Sequence, residues 1–302
     1  MTQRSRRIAL LAERGFVAAG SLRFPYARLM TSTIVREALE EDAADNDITS
    51  IATVVSDRRA RCTVVARESG IIAGIPLARE AFKQRNPRAA VRHTVKDGGR
   101  AEAGTQVLFI TGHARGLLSA ERVALNFMQR LSGVATLTAQ FVNAVQGTGA
   151  RILDTRKTTP GWRRLEKYAV RAGGGMNHRL DLAAAVLIKD NHLAAVDGHI
   201  ALAVKRARDV APAETPVEVE CERIEQVLDA INAEVEIIML DNMSVEEMRE
   251  AVELIDGRAV TEASGGVSLD TVRGMAKTGV DWISVGALTH SAKALDLGLD
   301  FE

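Results

Sequence analysis

The sequence predicts an α/β protein in two parts: a small α+β sheet with helices on one face, then a (β/α) barrel of six or seven parallel strands. Three observations carry that expectation. From about Ala150 onward, short β-type runs alternate with helices whose apolar positions recur every three or four residues. Almost every such run ends in a polar residue or a glycine. Barrel strands bring such ends to one mouth, whereas an open doubly wound sheet gathers its site at a single switch point. The first 120 residues lack that alternation.

Taken in order, helices are expected near Ile34–Glu41 and Leu77–Lys83, and strands at Arg61–Ala66 and Thr105–Ile110. Leu117–Asn143 reads as a long helix linking the two parts. Barrel strands are expected at Arg151–Leu153, Ala185–Ile188, Val217–Val219, Glu236–Leu240, Ala259–Thr261 and Trp282–Val285. Crossover helices fall at Arg223–Ile231 and Val245–Val252, and another starts near Leu269. The domains run 1–124, rejoined by the tail 292–302, and 125–291.

The 302 residues, 46% hydrophobic and 26% charged, suffice for a full core. Thirty-nine basic and 39 acidic residues balance, which argues against nonspecific nucleic-acid binding. Cys62 and Cys221 are too few for a disulfide framework and lack metal-ligand spacing, so a reducing, cytoplasmic setting is expected. Near the start, Arg4, Arg6 and Arg7 precede an apolar run, Ile8–Ala12, that Glu13 and Arg14 end after five residues. A signal peptide needs roughly 7–15 apolar residues, and a membrane span roughly 20. Neither is expected.

In a chain of zero formal charge, Arg156, Lys157, His178, Arg179 and Lys189 recur beside Pro160, Gly173–Gly175 and short apolar runs. Cations gathered at loop positions suit a small, strongly anionic ligand. Arginine's fork takes a carboxylate or phosphate bidentately, and lysine adds a mobile point charge. Glu220 and Asp241 each close a β run. Such carboxylates can accept from sugar hydroxyls, hold Mg²⁺ through water or stabilise a developing cation. Glu218 faces the same way as Glu220 along its strand. Ala263-Ser264-Gly265-Gly266 and Ser284-Val285-Gly286 open the last two βα loops, a recurring phosphate site in barrels. Together these features point to a phosphorylated sugar and an acidic or aromatic partner.

At this point the sequence closely resembles the quinolinate phosphoribosyltransferase family. The resemblance runs from about Val35 to the C-terminus. It rests on Ala38–Asp42 with Asp47–Thr49, Gly70–Gly74, Ala120–Phe127, Leu131–Thr136, Asp154–Gly161, Gly173–Arg179, Leu187–His192, Leu240–Asn242 and Ala287–Ser291. It implies an N-terminal open α/β sandwich and a C-terminal incomplete (β/α) barrel. It also implies phosphoribosyl transfer from phosphoribosyl pyrophosphate (PRPP) to quinolinate with Mg²⁺ and loss of CO₂, within NAD biosynthesis. By resemblance, Arg122, Arg156, His178, Arg179 and Lys189 bind the quinolinate carboxylates, with Arg122 from the neighbouring subunit of a homodimer. Lys157, Glu220, Asp241, Ser264, Gly265 and Gly286 match positions that hold the phosphoribosyl group, its pyrophosphate or the metal. Thr155, Ala263, Ser284, Val285 and His290 complete the substrate-binding set, and Lys157, Lys189, Glu220 and Asp241 are the catalytic candidates.

Three positions depart from the family pattern. Asp181 stands where glycine is usual, Ala184 where aspartate is usual, and Ala263 often where serine is found. An acid two residues beyond Arg179 could draw that arginine away from a dianion. Two rival readings carry different chemistry: a related phosphoribosyltransferase for another aromatic acid, and a barrel lyase with Lys189 as a Schiff-base nucleophile.

Overall fold

The computed structural model describes Leu11 and residues 22–302. Apart from Leu11, the basic and apolar stretch at Arg4–Arg14 lies outside the described residues. In chain order the elements begin with α1 (Arg28–Glu41), a 3₁₀ turn at Ala44–Asn46, α2 (Ile48–Thr53), β1 (Arg59–Ala66), β2 (Gly70–Ile71) and α3 (Ile75–Arg85). There follow β3 (Ala90–His93), β4 (Arg100–Ala101), β5 (Gln106–His113) and α4 (Ala114–Ala144). Then come β6 (Arg151–Leu153), α5 (Arg163–Ala172), β7 (Val186–Ile188), α6 (Asp190–Ala194) and α7 (Ile200–Val210). The rest are β8 (Val217–Cys221), α8 (Ile224–Asn232), β9 (Ile237–Asp241), α9 (Val245–Ile255), β10 (Val260–Ser264), α10 (Val272–Ala276), β11 (Trp282–Ser284), α11 (Ala287–His290) and β12 (Leu297–Phe301).

One compact unit holds residues 22–139, 164–174 and 292–302. Its four-stranded antiparallel sheet has the order β12-β1-β5-β3. The C-terminal tail therefore returns to this sheet. The domain boundary differs. Most of α4 packs in this unit because Leu117, Ala120, Ala124, Met128, Leu131 and Ala135, spaced three and four apart, are all buried. Ser132 ties α4 to the chain before α3, accepting from the Ala73 N–H at 2.9 Å and donating to its carbonyl at 3.2 Å. Residues 164–174 join the same unit: Glu166, fully buried, takes the Arg130 guanidinium at 2.6 Å. Gly173 lies so near the Ala135 carbonyl that a Cβ would sit 2.3 Å from it. That glycine serves helix packing.

The other unit holds residues 140–163 and 175–291 together with Leu11. Its parallel sheet has six strands in the order β6-β11-β10-β9-β8-β7. β6 and β7 are its two edges and do not pair, so the barrel is incomplete. An isolated parallel bridge from Leu153 to Met176 extends the β6 edge by one residue pair. Side chains alternate across each strand, so Val217, Val219 and Cys221 share one face of β8 while Glu218 and Glu220 share the other. The inward face is layered along the strands. Leu153, Ala185, Ile237, Val260 and Trp282, with Leu11, form an apolar cluster toward the strand starts. Two residues further on, the same faces carry Thr155, Leu187, Met239, Glu262 and Ser284, which line a cavity.

All six barrel strands stand where the sequence places them, five within two residues at either end and β10 running three residues further, to Ser264. The helix expected near Leu269 starts later, at Val272. Ser268 and Thr271 form a local turn, the Ser268 N–H donating to Thr271 Oγ1 at 2.9 Å. Such side-chain bonds compete with helix formation.

Close packing at Gly133 is testable. A Cβ there would stand 2.0 Å from the Lys293 carbonyl, so Gly133→Ala should destabilise by about 1–3 kcal/mol. Gly274, inside α10, has only Val245 Cγ2 at 3.7 Å from such a Cβ. Gly274→Ala should be neutral or stabilising by up to about 1 kcal/mol. Thermal unfolding of the two variants beside the parent compares them directly.

Candidate active site

The cavity at the C-terminal ends of the barrel strands measures about 350 Å³. Thr155, Arg156, Lys157, His178, Arg179, Lys189, Glu220, Asp241, Ser264 and Ser284 line it, joined by Leu187, Met239 and Glu262. Ten of the residues chosen from sequence thus meet in one place. Each arrives by a definite route. Lys189 and Asp241 stand at or just beyond strand ends, and Glu220 and Ser264 lie on the inward face two residues after Glu218 and Glu262.

The cationic segments are fastened by one carboxylate. Asp154, fully buried just after β6, accepts from the His178 N–H at 2.8 Å and from Asn177 Nδ2 at 2.7 Å. A segment outside the sheet is thereby bound to the strand that also carries Arg156 and Lys157. Thr289 Oγ1 adds a bond to the Lys157 carbonyl at 2.6 Å. Arg179 is 5% exposed and spends one guanidinium N–H on the Ala185 carbonyl at 2.8 Å. Its Nε and the Arg156 Nε are buried donors without an acceptor among the described residues. Burial draws the Arg179 pKa down, the Glu218 carboxylate opposes this, and the Arg156 charge adds to it. An arginine remains charged under such pressure.

The acids are divided between mouth and floor. Near the mouth, Glu220 is paired with Lys189 at 2.8 Å, and Asp241 accepts from Asn242 Nδ2 at 2.7 Å. On the floor, Glu218 and Glu262 are fully buried, and His178 Nε2 lies 3.3 Å from Glu218 Oε2 and 3.5 Å from Glu262 Oε2. Burial opposes protonation of His178, but the Glu262 and Glu218 carboxylates outweigh it and push the imidazole up to about 10. Glu218 is likewise raised, first by burial and then by the Glu262 charge. Both directions describe a cluster that holds protons tightly.

Several residues chosen from sequence lie outside the lining. Ala263 and Val285 are buried on the opposite strand faces, and the Val285 N–H is spent on the Leu153 carbonyl at 2.9 Å. Neither side chain reaches the cavity. Gly265 turns the β10 loop at φ +85°, where a Cβ would strike Asn242 Oδ1, so that glycine is required by its neighbour. Gly286 leaves room for Lys157 Cδ and His290 Nε2, each 3.1 Å from where a Cβ would lie. His290 is exposed and bonded to Ser291 Oγ at 2.7 Å. Arg122 is exposed on α4, in the other unit. Asp181 does not pair with Arg179. Its carboxylate accepts the Ala183 and Ala184 N–H groups at 3.0 and 3.1 Å, closing its own loop.

Sequence reading missed Glu262. It placed the end of that strand at Thr261, three residues short of Ser264. The signal was an acid inside the otherwise small and apolar run Ala259–Ala263, since a carboxylate in a buried strand is rare without a role.

Two family models match the chain. Residues 47–132 match the quinolinate phosphoribosyl transferase N-terminal domain, and residues 134–300 match its C-terminal domain. A nicotinate-nucleotide pyrophosphorylase (carboxylating) from Mycobacterium leprae is 47% identical over 274 residues, covering 88% of this chain and 95% of that protein. A chloroplastic protein of the same designation from Oryza sativa is 44% identical, covering 89% of this chain and 77% of that protein. The solved nicotinate-nucleotide pyrophosphorylase from Francisella tularensis superimposes with a TM-score of 0.87 at 37% identity, covering 94% of this chain and all of that one.

Proposed function

The chain belongs to the quinolinate phosphoribosyltransferase family, and from that premise we propose how its cavity residues divide the reaction. The enzyme transfers a phosphoribosyl group from PRPP to the quinolinate nitrogen, releasing pyrophosphate and CO₂ and forming nicotinate mononucleotide for NAD synthesis. One observation carries the assignment of the base: Arg156, Arg179 and Lys189 line one cavity. Cations gathered in a partly buried cavity favour an anionic ligand, and a dicarboxylate brings two charges to them.

Arg156 and Arg179, with Lys189, hold the quinolinate carboxylates and present the ring nitrogen to the anomeric carbon. Fixing that line of attack replaces a bimolecular encounter with an oriented one. As the C–O bond to pyrophosphate breaks, positive charge develops on the ribose ring. Glu220 and Asp241 face that charge, and Lys157 faces the departing phosphates. Ser264, Ser284 and Thr155 offer hydroxyls to phosphate or sugar oxygens. With the nitrogen alkylated, the pyridinium is itself the sink for the electron pair left by CO₂, so this step uses the substrate's own chemistry.

Mg²⁺ fits the donor set. Asp241 and Glu220 are hard oxygen ligands on one wall of the cavity, suited to a cation that keeps much of its water. Bound there, Mg²⁺ would neutralise charge on the pyrophosphate. A homodimer completes the reading, with Arg122 supplied by a neighbouring subunit. A cytoplasmic setting accords with Cys62 and Cys221, both free and buried. No helix among the described residues is long and apolar enough to cross a membrane.

Quinolinate should be used far better than nicotinate. Losing one carboxylate leaves buried cations unpaired, which costs on the order of 10⁴-fold in sites built for the missing group. Comparison of kcat/KM on the two acids decides it, and similar values would refute the assignment of the arginines.

Glu220→Ala and Asp241→Ala should each lower turnover by about 10²–10³-fold while leaving quinolinate binding, measured calorimetrically without PRPP, intact. Glu220→Ala also frees Lys189 for a carboxylate. Loss of quinolinate binding in a folded variant would show that the two halves of the cavity are not separate.

Arg122→Ala and Lys189→Ala chains, each nearly inactive alone, should recover activity once subunits exchange. A mixed dimer has one site with both lesions and one with neither. With half the dimers mixed, recovery should approach about a quarter of the parent activity by two-fold symmetry. Exchange verified by mass spectrometry, yet without recovery, would assign Arg122 to its own subunit.

A further inference from the structure

Beneath the cations, Glu218 and Glu262 are fully buried, and none of their four carboxylate oxygens makes a well-aligned hydrogen bond among the described residues. Two such groups are expensive to keep. Neither has a part in the division of labour above, and both face the same atom, His178 Nε2, at 3.3 and 3.5 Å.

The three groups could in principle hold a metal ion, since one ligand atom from each lies within 4.8 Å of the others. The other ring nitrogen speaks against that. His178 Nδ1 accepts the Arg179 backbone N–H at 2.9 Å, so it carries no proton. In a neutral ring the proton then sits on Nε2. A protonated Nε2 cannot ligate a metal. The two acids favour a second proton on the ring, but a doubly protonated ring would set two N–H groups against each other at Nδ1, and that contact decides for the neutral form. The imidazole therefore presents Nε2–H between the two carboxylates.

The consequence reaches Arg179. Its backbone N–H is held by Nδ1 of a ring that the two glutamates orient. Its neighbour's N–H is held by Asp154 at 2.8 Å. Fixed at both residues, the 178–179 backbone sets where the guanidinium begins. We propose that Glu218 and Glu262 are positioning residues: they lock His178 in its Nε2–H form so that Nδ1 anchors the Arg179 backbone and aims the guanidinium at the substrate. The inference rests on the assignment of Arg179 to a quinolinate carboxylate and deepens it. It also revises the part of His178, whose ring nitrogens are both directed to protein groups and not offered as a cation to the substrate.

The test uses the full-length protein with ¹⁵N-labelled histidine. Nitrogen shifts assigned to His178 by loss of the signal in His178→Asn should report a neutral Nε2–H ring at neutral pH. A doubly protonated ring, or disappearance of the Nε2–H on adding Zn²⁺ or Mn²⁺ alone, would overturn the proposal. Glu262→Met, of similar length but apolar, should weaken quinolinate binding about tenfold through lost orientation of the ring and of Arg179. Its thermal midpoint should hold or rise, because a costly buried acid is gone. Glu262→Gln, which keeps an oxygen acceptor, should restore both the affinity and the ring signature. Unchanged affinity and ring signals in a folded Glu262→Met protein would refute positioning. So would a fall in stability that Glu262→Gln does not repair. Arg179→Ala provides the separate control: if it leaves quinolinate affinity intact, the underlying assignment fails, whatever Glu262 does.

Discussion

The site depends on Asp154. Its carboxylate is fully buried immediately after β6 and accepts from both the backbone of His178 and the side chain of Asn177. Those residues belong to a segment whose strand pairing with the sheet, among the described residues, is the isolated bridge from Leu153 to Met176. Without the carboxylate, Arg156 and Arg179 would have little to hold them together against their mutual repulsion. A charge-assisted bond to a buried backbone N–H is among the stronger local restraints available. Asp154 therefore converts two stretches of chain separated by more than twenty residues into one cationic wall.

Holding like charges together requires compensation nearby. At the mouth, Lys189 is paired with Glu220, so part of the positive charge is neutralised until a ligand arrives. At the floor, Glu218 and Glu262 supply negative charge under Arg179 without occupying its Nε. The cavity is thus close to balanced as a whole while keeping specific donors open. That arrangement favours a ligand that brings carboxylates to the wall and develops positive charge on its sugar, because each sign of charge then meets its complement.

Much of this was legible in the sequence. Six strands were visible as short β-branched runs, and the ends of those runs pointed to the mouth. Charged residues at such ends have few other reasons to recur. The illegible parts share one cause: they depend on neighbours distant in sequence. Gly173 sits among cationic motifs, but its small size answers to the Ala135 carbonyl on another helix. Residues 164–174 fall within the barrel's stretch of sequence, but the Arg130–Glu166 pair ties them to the sheet unit. Asp181 looked like a rival for Arg179, yet the nearer N–H groups of Ala183 and Ala184 take its carboxylate. His178 counted as a cation in the linear pattern. The backbone N–H at its Nδ1 and the two acids at its Nε2 are visible only in the fold.

The barrel also keeps stability and chemistry apart with one device, the two-residue alternation of its strands. On a single inward face, Val260 belongs to the apolar cluster, Glu262 to the cavity floor and Ser264 to the mouth. The cost of burying acids is met where the apolar layer lies directly behind them, around Trp282 and Ile237. Residues on the outward faces, such as Ala263 and Val285, contribute to packing and place their neighbours by register alone. A substitution on the outward face should therefore act on the site only by shifting a strand. One on the inward face acts on chemistry in proportion to its height along the strand. The incomplete closure between β6 and β7 falls where the loop carrying His178 and Arg179 enters. The position a further strand would fill is used by residues that must face the ligand, and Asp154 supplies the restraint that a hydrogen-bonded ladder would otherwise provide.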